Sequence, residues 1–171
     1  MLSNYEIDMQ STDPDHTPEG ASLTELILEV FKLNGRLLSA GDQLVAGLGL
    51  TSARWQVLGA IAFAGAPQPV ANIARNMGLT RQAVQRVVNE LEAEGFLTFA
   101  PNPHHQRAKL VMLSKSGAKA FQAAAKRQAP WANQLARRIS AGEIRAALGV
   151  VREISTRLEA TARETNNQES P

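Results

Sequence analysis

Arg81, Gln82, Gln85, Arg86 and Asn89 fall within nine residues, opened by Thr80 and free of acidic residues until Glu90. These side-chain types match base edges: Arg fits guanine O6 and N7, while Gln and Asn fit adenine N6 and N7. At helical spacing Val84, Val87, Val88 and Leu91 share the opposite face, so one side can bury while the other recognises. Thr80 places free first-turn N–H groups and a positive dipole end where a phosphate would fit. A plain solvated helix face is the competing reading of the polar residues. A second cluster, Pro101 to Arg107, presents His104, His105 and Arg107, with Lys109 just beyond. Arginine on a protruding loop suits the narrow, electronegative minor groove of a duplex, and an ordinary polar turn is its alternative. The adjacent histidines raise metal binding or a pH response near a pKa of about 6.5. With no cysteine and no nearby carboxylate, no metal site is expected.

Elements able to position these groups follow from periodicity and punctuation. Ser22 to Glu25 reads as a capping box opening a helix with apolar Leu26, Ile27, Val30, Phe31, Leu37, Leu38, Leu44 and Val45, ended by Gly47 and Gly49. Thr51 caps a second helix, Ser52 to Phe63, apolar enough to be central, and Gly65, Pro67 and Pro69 close it. A short helix, Val70 to Met77, the turn Gly78-Leu79 and a helix from Thr80 to Glu94 make a helix, glycine turn and helix. Phe96 to Ala100 and Lys109 to Leu113 then read as a hairpin with an exposed tip. Ser114 caps a long alanine-rich helix that Pro130 should kink or interrupt. A second capping box at Ser140 and Glu143 opens a helix striped with Ile144, Leu148, Val151, Ile154 and Leu158.

The chain's 171 residues and 44% hydrophobic content fit a globular body with a real core. Residues 1–20 hold five acids and no Lys or Arg, and read as a disordered acidic tail. Taking those five from the sixteen acids leaves eleven against eighteen basic residues, so the body carries net +7. That balance is compatible with a polyanionic partner. The absence of cysteine excludes disulfides, thiolate zinc sites and thiol chemistry. The longest apolar stretch, Trp55 to Ala66, falls short of the roughly 20 residues of a membrane span, and the start lacks a secretory pattern, so a cytoplasmic location is expected. No phosphate-binding glycine loop, metal-ligand spacing or nucleophile elbow is present; no catalytic residue and no cofactor are expected, and the chain reads as a non-enzyme.

In order and spacing the chain resembles the MarR family of winged-helix regulators across residues 23–160. The resemblance rests on Leu50-Thr51 leading into Trp55-Gln56-Val57-Leu58, on Ile73-Ala74-Arg75, on Gly78 through Val84, on Leu91 through Phe96, on Arg107 through Ser114, on Gly117 and on the capped helix at Ser140. It implies a mainly α protein with a small β-hairpin wing: a winged helix-turn-helix at residues 51–113 between helical dimerisation regions at 21–50 and 114–163. It further implies a homodimer on double-stranded DNA, with a recognition helix in the major groove and the wing in the minor groove. The functional expectation is a sequence-specific, ligand-responsive repressor on a pseudo-palindromic operator; the alternative is a winged-helix protein-interaction module. A small aromatic or phenolic effector is implied, with Trp55 and Phe31 as pocket candidates, although Trp55 and Trp131 also fit core or dimer interface. Two positions depart from the pattern: His105 stands where the family's wing carries an aspartate, and Pro69 replaces the Thr or Ser that commonly caps the helix before the turn.

Overall fold

The structure is a computed structural model describing residues 16–105 and 107–168, with side chains placed at all of these but 163 and 165–168. The elements are α1 (Pro18–Val45), α2 (Ser52–Ala62), β1 (Gln68–Pro69), α3 (Val70–Met77), α4 (Arg81–Ala93), β2 (Leu97–Ala100), β3 (Leu110–Leu113), α5 (Lys115–Leu135) and α6 (Ala141–Gln168). They fall into two compact units divided after Ala124.

In the first unit, α2, α3 and α4 bury Val57, Leu58, Ile61, Ile73, Ala74, Val84, Val88 and Leu91 in one core. Each fully buried aliphatic side chain contributes about 1.5–3 kcal/mol of transfer free energy, so α4 is held by its apolar face rather than by propensity. A three-stranded antiparallel sheet ordered β1-β3-β2 closes one side, with Leu97 opposite Leu113 and Phe99 opposite Val111. Leu97 and Val111 enter the core while Thr98 and Met112 face out, the alternation expected of a sheet with one wet face. The third strand was not anticipated: Pro69 pairs with Leu110 in β1, and then occupies the N-cap position of α3 without a side-chain capping bond.

Gly78 ends α3 at φ +65° with its N–H bonded back to Ala74 and Arg75 carbonyls, which frees the chain to reach the N-cap of α4, Thr80, two residues later. Gly117 is required for a different reason. A Cβ there would overlap the Phe96 carbonyl oxygen, so the first turn of α5 lies directly on the chain leaving α4. Ser114 and Ser116 fasten that contact by donating to the Gly95 carbonyl at 2.7 and 2.6 Å, and Ser114 Oγ also accepts from Gly117 N–H at 3.0 Å.

α1 begins earlier than expected, three residues inside the stretch assigned to the tail. Thr17 Oγ1 accepts from Gly20 N–H at 3.1 Å and Pro18 occupies the first turn, so the start signal lies upstream of Ser22. Ser22 instead sits inside the helix and donates to the Pro18 carbonyl. The rest of the tail assignment, residues 1–15, lies outside the described residues. α1 reaches the core only at its end, through Gly41 and Val45; Leu23, Ile27, Val30, Phe31 and Leu37 stay exposed.

α5 crosses the division and runs unbroken to Leu135 with Pro130 inside it, so of the expected kink or interruption the interruption does not occur. A proline removes one backbone bond and crowds one carbonyl, which neighbouring turns can absorb in a helix of 21 residues. The capping box opening α6 forms reciprocally: Ser140 N–H donates to Glu143 Oε2 at 2.8 Å and Glu143 N–H to Ser140 Oγ at 3.1 Å. Hydrogen bonds from the Ser140 side chain, and then from its backbone, hold the Glu143 carboxyl below its ordinary range. Ile144, Leu148, Val151 and Leu158 are exposed along α6, with Ile154 half-buried. No helix among the described residues is long and apolar enough to cross a membrane.

Candidate nucleic-acid interface

Thr80 starts α4 by accepting a hydrogen bond from Ala83 N–H at 3.2 Å, leaving its remaining first-turn N–H groups directed forward. Because Val84, Val87, Val88 and Leu91 are buried, the helix cannot rotate, and its opposite face is fixed outward. Arg81, Gln82, Arg86 and Asn89 are exposed there and Gln85 is half-buried. Gln85 Nε2 donates to Asn89 Oδ1 at 2.8 Å, ordering two amides one turn apart. Each amide keeps further donor and acceptor capacity beyond that bond, the chemistry that matches adenine edges.

The acidic end of α4 is occupied as sequence reasoning did not foresee. Arg54, near the start of α2, sends Nη2 to Glu94 Oε1 at 2.7 Å and Nη1 to Glu94 Oε2 at 2.9 Å. Its Nε and Nη2 each lie 3.4 Å from Glu90 Oε2, while Glu90 Oε1 accepts from Arg86 Nη1 at 3.3 Å. Four charges therefore neutralise one another across two helices. Arg54 is its enclosed member at 19% side-chain exposure; Arg86, at 75%, is attached at its rim. No local signal marks Arg54, whose partners lie 36 and 40 residues away.

The hairpin tip is organised by Asn102. Its Nδ2 donates across to the Ala108 carbonyl at 2.9 Å, and its Oδ1 accepts from His104 N–H at 3.0 Å. The His105 N–H bonds to the Asn102 carbonyl and the Ala108 N–H to that of His105, closing two turns. His104, His105 and Arg107 are exposed on this loop, and no carboxylate among the described residues pairs with Arg107. Asn102 thus orders the wing tip through its own side chain, with His105 in the aspartate position. A signal for it existed, since an Asn between prolines favours a turn closed by its own side chain. Lys109 lies lower, its Nζ 5.8 Å from the Phe99 ring centroid, which keeps its charge at the shoulder of the wing.

The two pocket candidates do not come together. Phe31, 68% exposed, lines an open groove of about 580 Å³ along α1 with Lys32, Gly35, Arg36, Ser39, Ala40 and Gln43. Trp55 is not among its lining residues; it is half-buried against the core, the competing expectation for that side chain. Trp131 is half-buried on α5. Among the described residues no group of three or more His, Asp or Glu side chains could hold a metal ion.

Residues 48–108 match the family model described as the MarR family. The uncharacterized protein Rv2011c of Mycobacterium tuberculosis is 33% identical over 138 residues, which span 81% of this chain and 95% of that protein. Among solved structures, a mutant MarR from E. coli complexed with operator DNA superposes with a TM-score of 0.69 at 19% identity, covering 78% of this chain and 95% of that one. CouR from Rhodococcus jostii RHA1, bound to p-coumaroyl-CoA, gives 0.66 at 19% identity, covering 75% and 90%.

Proposed function

Because the chain belongs to the MarR family of transcriptional regulators, we propose that it acts in the cytoplasm as a homodimer that binds a pseudo-palindromic operator in double-stranded DNA and represses transcription in response to a small aromatic or phenolic effector. The observation carrying this reading is the outer face of α4: five base-competent side chains, Arg81, Gln82, Gln85, Arg86 and Asn89, on a helix locked in rotation by a buried aliphatic face. In the mechanism, α4 enters the major groove with Thr80 and the helix N-terminus against a phosphate, while Arg107 and the histidines of the wing follow into the minor groove. Lys109 adds a backbone contact at the wing's shoulder.

Two copies are required to read two half-sites, whose centres should lie about 34–36 Å apart. The exposed aliphatic stripes on α1 and on α6 support dimerisation, since apolar faces of that length are otherwise left in water. For the effector, the groove beside Phe31 falls within the roughly 300–1,000 Å³ typical of small-molecule sites. An effector there acts by preferring the spacing of the two α4 helices that does not fit DNA.

The test is selection of bound duplexes from a random pool by wild type and by an Arg81→Ala/Arg86→Ala double variant. Enrichment of a pseudo-palindrome by wild type alone is expected. Enrichment of nothing at low salt would overturn the reading in favour of a winged helix that binds protein. Sedimentation should give a dimer, and a folded monomer that still binds the selected duplex would remove the dimer from the mechanism.

A further inference from the structure

The charge network at the acidic end of α4 reaches the helix's outer face through Arg86. Glu90 stands one turn beyond Arg86 on the recognition helix, with its two oxygens divided: Oε1 holds Arg86 and Oε2 faces Arg54. An operator competes with Glu90 for the Arg86 guanidinium, because the Nη1 that Glu90 holds is turned away from a base or phosphate while the pair persists, although Nε and Nη2 keep their donors. How strongly Glu90 competes depends on how much of its charge another cation has already satisfied. Arg54 is placed to do that, its side chain largely enclosed and anchored by two short bonds to Glu94.

We propose that Arg54 is a positioning residue for DNA recognition, which by sharing Glu90 tunes the release of Arg86 from Glu90 to the operator. The proposal rests on α4 being the recognition helix. With Arg54 in place, Glu90 holds Arg86 by one exposed bond, oriented but releasable. A surface pair of this kind is weak and screened by salt. Without Arg54, Glu90 retains a full charge for Arg86 and directs it against the approaching phosphates. Without the Glu90 charge, Arg86 is free, engages any phosphate, and discriminates less. The same carboxylate therefore lowers nonspecific affinity and keeps Arg86 available for the matching base, a use of repulsion for specificity. Glu94 anchors Arg54 but has no bond to Arg86, so the two acids differ in effect despite equal charge.

The experiment measures dissociation constants on the selected operator and on a scrambled duplex, in one low-salt buffer, for full-length wild type, Arg54→Gln, Glu90→Gln, Arg54→Gln/Glu90→Gln and Arg54→Gln/Glu94→Gln. Arg54→Gln is expected to weaken operator binding roughly twofold to fivefold, the scale on which one exposed ion pair such as Arg86–Glu90 is strengthened or lost. Adding Glu90→Gln restores it to the level of Glu90→Gln alone, whereas adding Glu94→Gln does not. Operator binding unchanged in Arg54→Gln overturns the proposal. So does equal restoration by the two glutamine substitutions, or none by either in variants whose helical circular dichroism matches wild type. If Arg54→Gln does not fold, Glu90→Gln alone decides: it should bind the scrambled duplex more tightly and lower the operator-to-scrambled ratio, and an unchanged ratio refutes the role. A wild type that does not discriminate the two duplexes refutes DNA recognition itself, a result distinguishable from all of these.

Discussion

Gly117→Ala is the smallest change that should disturb the base of the wing. The added methyl would overlap the Phe96 carbonyl oxygen and lie 3.0 Å from its carbonyl carbon, so backbone rather than a flexible side chain must give way. That same oxygen accepts from Ser114 N–H at 3.0 Å, and Ser114 and Ser116 hold the adjacent Gly95 carbonyl, so moving α5 away stretches three bonds together. Overpacking of this kind costs about 1–3 kcal/mol, and one weakened backbone bond adds about 1 kcal/mol. Helix propensity returns under 1 kcal/mol, since alanine is the better helix former. The net should be about 2–3 kcal/mol, or roughly 4–12 °C in Tm at about 2–4 °C per kcal/mol for a chain of this size. Thermal and urea unfolding followed by circular dichroism would measure it, with Gly149→Ala as the control, because nothing lies within 4 Å of a Cβ there. A loss below about 0.5 kcal/mol, the scale of an ordinary surface substitution, would show that α5 is not seated against the Gly95–Phe96 chain.

Other outcomes follow from the same geometry. Arg81→Ala and Arg86→Ala should each cost about 1–3 kcal/mol on the selected operator and relax preference at separate positions, measured by fluorescence anisotropy on single-base variants of the duplex. Asn102→Ala removes both side-chain bonds that order the wing tip; it should weaken operator binding while lowering stability by no more than about 1 kcal/mol, and an unchanged Kd would show that these two bonds are irrelevant to affinity. Asp42→Ala, which removes the 2.6 Å bond to Ser52 N–H at the start of α2, should lower stability by about 1–2 kcal/mol in urea titrations. Glu143 has a folded pKa below its unfolded value, so the help it gives the start of α6 is present above the ordinary glutamate pKa and fades as pH falls through the lowered one. Glu143→Gln should therefore flatten the loss of α6 helicity with acid in hydrogen-exchange measurements.

Much of the reading unit was legible because its signals are local. Val70 to Met77 is bounded by Pro69 and Gly78, and Thr80 lies three residues from the N–H it caps, so α3 and α4 appear where spacing and punctuation place them. The Ser140 box also forms as read, for the same reason. The Ser22 box did not, although its pattern is equally good, because Thr17 and Pro18 offer an earlier start and a helix takes the first competent cap. β1 was invisible: two residues carry no periodicity, and Pro69 argues against a strand unless one edge of it needs no donor. Arg54 was invisible for a different reason, since its bonds to Glu90 and Glu94 depend on the crossing of α2 over α4 and on nothing in the residues around it. The site was thus readable where it faces outward and unreadable where it is held from behind.

That hidden support links recognition to α1. A Cβ on Gly41 would lie 2.5 Å from Ser52 Oγ, so α1 and the start of α2 meet at backbone distance. Asp42 then receives the Ser52 N–H, and Thr51 receives that of Arg54, so the residue gripping the end of α4 is set by a turn that α1 itself caps. The groove beside Phe31 runs along that same α1 for about three turns as far as Gln43, next to Asp42. A rigid helix moved at one end displaces its other end, and close-packed contacts transmit such shifts better than loops do. Under the proposed function, an occupant of the α1 face, effector or second copy, would reach Arg86 through Ser52 and Arg54. These contacts form a continuous physical route to the Arg86–Glu90 pair, and a shift along it bears on recognition only if it biases the proposed release of Arg86.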